Sequence, residues 1–188
     1  MSGKTIVILG GGVGGLVAAH GLRERLGREH RIVLVDKSPQ HVFAPSLLWL
    51  MLGWRRAPQI TGDLRRLAQR GIEFVQAEVL GINPAARKVT TNAGEFTADY
   101  LVVALGAELA PQAMPGLAES AHWYYDVAGA ERLRDALAKF EGGRVVLAVA
   151  GVPYKCPGAP WEGVLLLDYY FRQRGIRYRV EMSAYTPE

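Results

Sequence analysis

The stretch Thr5-Ile6-Val7-Ile8-Leu9-Gly10-Gly11-Gly12-Val13-Gly14-Gly15 decides the fold, and the residues after it carry the reading on to Asp36. Thr5 to Leu9 is a short apolar run, the pattern of a strand buried on both faces. Leu16 to Leu26 has apolar residues at helical spacing, and Arg31 to Val35 is a second apolar strand that closes on Asp36. The result is a β-α-β unit with Gly-x-Gly-x-x-Gly at its first turn.

Each residue type at that turn has its own reason. Gly10 permits the sharp exit from the strand, Gly12 lets the backbone approach a pyrophosphate with no Cβ in the way, and Gly15 lets the helix pack close to the sheet. The free N–H groups around Val13 and Gly14, with the positive end of the helix dipole, then stabilise anionic oxygens. Asp36, about twenty residues past Gly15, closes the second strand where a carboxylate accepts both ribose hydroxyls. An acid there disfavours a 2′-phosphate and sets NADP last among the nucleotides. The competing reading is a glycine-rich turn in an ordinary α/β protein. Strand, helix, second strand and acid in one register weigh against it.

Composition narrows the class. A chain of 188 residues suffices for one sizeable domain or two small ones, and its 49% apolar and 21% charged residues are those of a folded globular protein. The net charge of +4 is mild and the arginines are scattered, which argues against a nucleic-acid partner. The single cysteine excludes an internal disulfide. No signal-peptide pattern precedes the first strand, so synthesis and folding in the cytoplasm are expected.

Beyond Asp36, Val42 to Leu52 is an apolar run too short to cross a bilayer, with Pro45 near its start where a helix accepts it. Two readings stand open for it: a buried connecting helix, or a wall of a cofactor or interface surface. The spacing of Ile60, Leu64 and Leu67 predicts an amphipathic helix over Gln59 to Arg70, ended by Gly71. Ile72 to Ile82 reads as strand, Asn83 to Ala86 as a turn, and Lys88 to Thr97 as a hairpin around Asn92-Ala93-Gly94. Tyr100 to Ala104 is a buried strand closing on Leu105-Gly106. Pro111 to Gly116 holds two prolines and a glycine and is the expected boundary.

The pattern then restarts: helix over Asp126 to Phe140 with Asp126 as N-cap, strand over Arg144 to Ala150, helix over Pro160 to Arg174, strand over Tyr178 to Met182. The turn of this second unit, Gly151 to Glu162, has prolines and a cysteine where a nucleotide site has glycines. Prolines lack the N–H groups of a phosphate cradle. A doubly wound sheet also needs further strands to cover the Pro160 helix, so the chain is expected to be a fragment or one part of a larger assembly.

With both units in view, the sequence resembles the sulfide:quinone oxidoreductase and flavocytochrome c sulfide dehydrogenase group, flavoproteins with two dinucleotide-binding domains. The resemblance rests on residues 6–15, on Phe43 to Trp49, on Ala98 to Gly106, and on Pro153 to Glu162. Only the last is specific to the sulfide-oxidising branch. It covers the whole chain but only the N-terminal half or less of such an enzyme. The implied fold is α/β with two Rossmann-like β-α-β units: residues 1–112 as a flavin-binding domain with a small β-meander, residues 113–188 as the start of a second, degenerate NAD-type domain.

The resemblance implies FAD, expected to be non-covalent because the cysteine that bonds the flavin in some members, which would fall near His122 to Asp126, is absent from this sequence. By match, Gly10, Gly12, Val13, Gly14 and Gly15 hold the pyrophosphate, Asp36 and Lys37 the adenosine side, Val79 the adenine through its backbone, Pro45 and Ser46 the flavin end, and Ala104, Leu105 and Gly106 close over the cofactor. Leu105 replaces the threonine usual in the signature. In the family the cysteine matching Cys156 is one of a redox pair beside the flavin: sulfide attacks their disulfide, and a thiolate passes two electrons onward. Lys155 and the following helix favour a thiolate at Cys156, and Glu162 matches a candidate proton shuttle. Inert packing of a lone cysteine and a purely dipolar role for Glu162 remain the alternatives. The second cysteine of the pair is absent from this sequence. His122, Trp123, Tyr124 and Tyr125 either line the flavin or form an interdomain aromatic cluster. Sulfide, a quinone, a missing C-terminal half or partner subunit, and a peripheral inner-membrane contact are the implied partners; no metal is expected. A type II NADH dehydrogenase and a non-catalytic flavin-binding or interaction module are the competing functions.

Overall fold

The computed structural model describes residues 3–187, so Met1, Ser2 and Glu188 of the expected termini lie outside the described residues. The chain divides into two compact units: Met1–Phe43 with Thr61–Glu108, and Ala44–Ile60 with Leu109–Glu188.

The first unit opens with β1 (Thr5–Leu9), α1 (Val13–Arg25) and β2 (Arg31–Asp36), the β-α-β unit that the glycine pattern predicts. β3 (Gln40–Val42) follows, and the chain then leaves for the second unit through α2 (Leu47–Leu50) and α3 (Ala57–Ile60) before returning at β4 (Thr61–Asp63). The helix expected over residues 59–70 is therefore broken. Thr61-Gly62-Asp63 pairs with β3, and Asp63 caps a fresh 3-10 helix over Leu64–Arg70 by accepting the Arg65 N–H at 2.9 Å. A glycine followed by a good capping residue favours a new start over continuation. Gly71 ends that helix in the left-handed region, as expected.

β5 (Glu73–Gln76) and the meander β6 (Val79–Asn83), β7 (Lys88–Thr91) and β8 (Gly94–Thr97) lead to β9 (Tyr100–Val103). The main sheet has the order β5-β2-β1-β9 and every pair in it is parallel. Side chains alternate across it. Ile6, Ile8, Ile32 and Leu34 join Leu16, Ala19 and Leu22 of α1 on one face, while Val7, Leu9, Val33 and Val35 join Val89, Phe96 and Ala98 of the meander on the other. Burial on both faces is why these strands are apolar throughout.

The second unit continues through α4 (Leu117–Ser120), α5 (Val127–Lys139), β10 (Gly143–Ala148), α6 (Ala159–Gln173) and β11 (Val180–Tyr185). β10 and β11 are parallel, so this is again β-α-β. β11 begins later than the sequence suggests because Arg177–Arg179 forms a 3-10 turn first. Asp126 caps α5 as expected, accepting the Gly129 N–H at 2.6 Å. Arg174 closes the other end of α5 by donating to the carbonyls of Leu137 and Phe140 at 2.6 and 2.8 Å. α2 packs against α5 and α6, and Phe171 of α6 is fully buried beside Phe140.

Candidate functional site

Because the four strands of the first sheet are parallel, the residues that follow them gather at one edge. That carboxyl edge carries the Gly10 turn after β1, Asp36 at the end of β2, Ala77 to Val79 after β5, and Ala104 to Gly106 after β9. Backbone hydrogen bonds tie them, among them Gly10 N–H to Val35 O at 2.8 Å, Ala77 N–H to Asp36 O at 2.9 Å and Ala104 N–H to Leu9 O at 2.8 Å. Open α/β sheets place ligands at this edge.

The glycines of the turn have different neighbours. A Cβ on Gly10 would lie 2.2 Å from the Ala104 carbonyl oxygen, and Gly10 sits at φ +104°. A Cβ on Gly15 would lie 1.8 Å from the Gly10 carbonyl oxygen, so helix and strand touch there through backbone alone. Gly12 is unlike both. It has φ −73°, and a Cβ there meets nothing within 4 Å. Neither packing nor backbone conformation of this chain asks for glycine at position 12, which leaves room there for an external group. Gly12 gives α1 no side-chain cap, and Gly12, Val13 and Gly14 are exposed, so the first N–H groups of the helix face outward for an acceptor. The turn fits a diphosphate.

Asp36 is half-buried and partly used by the protein itself. Its Oδ2 accepts the Gly11 N–H at 2.5 Å and its Oδ1 the Ser38 N–H at 2.7 Å. A carboxylate has about four lone-pair sites, which leaves capacity for ribose hydroxyls. Gly11 is packed under Leu64, whose Cδ1 would lie 2.4 Å from a Cβ there, and its carbonyl oxygen meets His41 Nδ1 at 2.9 Å. Sequence reasoning missed His41; the sole hint was an imidazole opening an apolar run just after the acid. Lys37 pairs with Glu108, and the pair raises the lysine and lowers the glutamate from their ordinary values. This exposed pair links the residue after β2 with the segment that follows β9. Leu105 is exposed, and Gly106 adopts φ +73° with open space around it.

Pro45, Ser46, Cys156 and Glu162 belong to the second unit. Pro45 is exposed in a 3-10 turn, and Ser46 is buried at the start of α2. Cys156 is exposed and adopts φ +53°, a left-handed residue in the turn before α6. Its carbonyl accepts the Ala159 N–H at 3.0 Å, and Glu162 lies exposed in the first turn of α6. The aromatic run packs around this turn. Trp123 donates to Asp126 at 2.8 Å and lies against Gly129 of α5, while Tyr124 donates to the Ala159 carbonyl at 3.1 Å and occupies the space a Cβ on Gly163 would need. Burial first, then Tyr125, Cys156 and Glu162, pushes the Tyr124 phenol well up, so it stays a neutral donor. Burial, with Cys156 and Tyr154, raises Tyr125 as well.

The model of the pyridine nucleotide-disulphide oxidoreductases matches residues 4–152. The chain belongs to the pyridine nucleotide-disulphide oxidoreductase family. This family match supports a flavin cofactor. Among curated relatives in the family's wider circle, the sulfide-quinone reductase of Aquifex aeolicus is 35% identical over 193 residues, covering 98% of this chain and 43% of its own length. The mitochondrial sulfide:quinone oxidoreductase of Mus musculus is 30% identical, covering 92% of this chain and 39% of its own. An alternative NAD(P)H-ubiquinone oxidoreductase of Arabidopsis thaliana is 34% identical over 95% of this chain and 38% of its own. The chain thus spans less than half the length of these relatives. The solved sulfide:quinone oxidoreductase of Aquifex aeolicus superposes with a TM-score of 0.89 at 34% identity, covering 98% of this chain and 43% of that one. NDH2 of Plasmodium falciparum superposes at 0.72 and 17% identity over 96% of this chain and 41% of that one, a likeness of fold alone. As in other members of the pyridine nucleotide-disulphide oxidoreductase family, the fold is α/β with Rossmann-like units. No helix among the described residues is long and apolar enough to cross a membrane.

Proposed function

We propose that this chain is the FAD-binding portion of an oxidoreductase of the sulfide:quinone type. The observation that carries the reading is the likeness to the Aquifex aeolicus sulfide:quinone oxidoreductase over 98% of the chain, which runs past residue 152 through the Cys156 turn and into α6. We assign residues 1–112 to the FAD-binding domain and 113–188 to the beginning of the second, with residues 44–60, which carry Pro45 and Ser46, lying within the first span but clustering with the second unit. In the first, the N–H groups at Gly12, Val13, Gly14 and Gly15 hold the diphosphate, Gly10 sets the turn, and Asp36 takes the ribose with its remaining lone pairs. Lys37 and the Val79 backbone serve the adenosine side, Pro45 and Ser46 the flavin side, and Ala104, Leu105 and Gly106 cover the cofactor. FAD, when bound, supplies a two-electron acceptor. In this reading the exposed thiol of Cys156 carries the sulfur chemistry, and Glu162, exposed in the first turn of α6, holds or moves a proton. Tyr124 keeps that turn in register by binding the Ala159 carbonyl. The complete enzyme passes electrons to a quinone at the membrane surface and needs the remaining sequence or a partner subunit to do so.

A type II NADH dehydrogenase is the second enzymatic reading, favoured by the Arabidopsis thaliana relative. The prolines at the second β-α turn weigh against it, because they remove the N–H groups a second nucleotide would use. The chain loaded with FAD under anaerobic conditions separates the readings. Bleaching of the visible flavin band by sulfide once a polypeptide carrying the second cysteine is added, and not by NADH, is the expected result. Bleaching by NADH alone would replace it with the dehydrogenase reading, and a chain that retains no flavin would be an interaction module.

A further inference from the structure

Gly11, the glycine that the fingerprint leaves unspecified, is gripped from two sides. Its N–H donates to Asp36 Oδ2 at 2.5 Å, and its carbonyl oxygen lies 2.9 Å from His41 Nδ1. A carbonyl oxygen only accepts, so His41 carries its proton on Nδ1. The imidazole is half-buried at the centre of β3, where His41 pairs opposite Gly62 of β4, so the short β3-β4 ladder holds the ring against the turn.

The consequence lies one peptide further on. The Gly11–Gly12 peptide is trans, and in a planar trans peptide the C=O and the N–H point to opposite sides. Holding the Gly11 oxygen toward His41 therefore turns the Gly12 N–H away from it. The Gly12 N–H has no hydrogen-bond partner among the described residues, and the space beside Gly12 is open. Three consecutive glycines would otherwise sample many backbone states, and ordering them on binding costs affinity.

We propose that His41 is a positioning residue of the nucleotide site: its Nδ1–H fixes the Gly11 carbonyl and thereby aims the Gly12 N–H at the diphosphate. This inference rests on the FAD reading above and adds to it a residue outside the glycine fingerprint. The recognised chemistry is the diphosphate, so ADP is bound through His41 as FAD is, and adenosine is not.

The test compares the full chain with His41→Phe, which keeps ring bulk without a donor, and His41→Asn, whose side-chain NH₂ falls near the place of Nδ1. Affinities for FAD, ADP and adenosine are measured by calorimetry, with the melting temperature of each ligand-free variant alongside. His41→Phe should weaken ADP and FAD about ten-fold, the size of one lost hydrogen bond to an aligned backbone group. His41→Asn should recover most of that loss, and adenosine should be bound alike by all three. Equal ADP affinity in the parent and His41→Phe overturns the proposal, as does an Asn variant no better than Phe. The ring tautomer of His41 in the ligand-free parent, read by nitrogen NMR, needs no variant: a proton on Nδ1 supports the proposal and its absence overturns it. Should the parent bind ADP in this His41-dependent way but no FAD, the flavin reading fails and the role of His41 stands. Should FAD bind parent and His41→Phe equally, the reverse holds, and a parent that binds neither ligand ends both.

Discussion

At Gly12 and Gly15, two glycines three residues apart, the same substitution has opposite meanings. A Cβ on Gly15 would sit 1.8 Å from the Gly10 carbonyl oxygen, a backbone atom that cannot step aside. Gly15→Ala is therefore expected to cost stability, by about 1–3 kcal/mol as overpacked sites do, and to lower the melting temperature by roughly 2–4 °C per kcal/mol in a chain of this size. A Cβ on Gly12 meets nothing, and its φ of −73° suits any residue. Gly12→Ala should leave the ligand-free chain within about 1 kcal/mol of the parent, the range of N-cap exchanges, and yet weaken FAD. Thermal melts without ligand and titrations with FAD check the pair. A Gly12→Ala chain that binds FAD as the parent does would remove the diphosphate from the front of α1. The glycines were legible in the sequence because their spacing is local. The contact of His41 with Gly11 was not, because thirty residues separate the two and only the β3-β4 pairing brings them together.

Among the elements, those whose start and stop signals agree with their apolar period were readable: β1-α1-β2, the hairpin at Asn92, α5 with its Asp126 cap. The segment over residues 59–70 was not, since its helical spacing hid Gly62 and Asp63, whose chemistry begins a new element. The junction of α6 with β11 was equally hidden, because it is built by charge rather than by period. Asp168 on α6 accepts from Arg172 one turn on at 2.6 Å and from Arg177 in the 3-10 turn, and Arg177 also donates to the Val180 carbonyl at 2.6 Å. These guanidinium bonds, Arg172 first and then Arg177, hold the Asp168 carboxyl below the usual carboxylate range. A carboxylate whose folded value lies below its unfolded one stabilises the fold at pH above the unfolded value, about 3.9 for aspartate. That contribution fades as pH falls through this range toward the folded value. Asp168→Asn is accordingly expected to lower stability at pH 7 by about 1 kcal/mol or less, since solvent still reaches this half-buried carboxylate and screens the pair. Urea melts of parent and variant should converge as the pH drops below about 4. A difference that persists unchanged at low pH would mean that packing, not charge, joins α6 to β11.

For the whole molecule the decisive quantity is its single cysteine. The sulfide chemistry proposed for the complete enzyme begins with hydrosulfide attacking a disulfide, and a disulfide needs two sulfurs. One sulfur leaves as a thiolate while the other takes up the incoming atom, so the pair must be re-formed after each cycle. With Cys156 alone, these 188 residues hold half of that machinery, in keeping with a chain that spans 43% of the Aquifex aeolicus relative. The chain should therefore bind FAD near one equivalent and yet sustain no quinone reduction by sulfide above the protein-free rate. Stopped-flow and steady-state assays with a soluble quinone under anaerobic conditions decide this. Cys156→Ser changes one exposed atom in a turn and should leave FAD binding and melting untouched, so any reduction by sulfide that it abolishes belongs to the thiol rather than to the fold. Sustained turnover by the parent chain would contradict the disulfide route and require sulfide to reach the flavin directly, with Cys156 a bystander; turnover that appears only when a second thiol-bearing polypeptide is added would identify that polypeptide as the carrier of the missing sulfur.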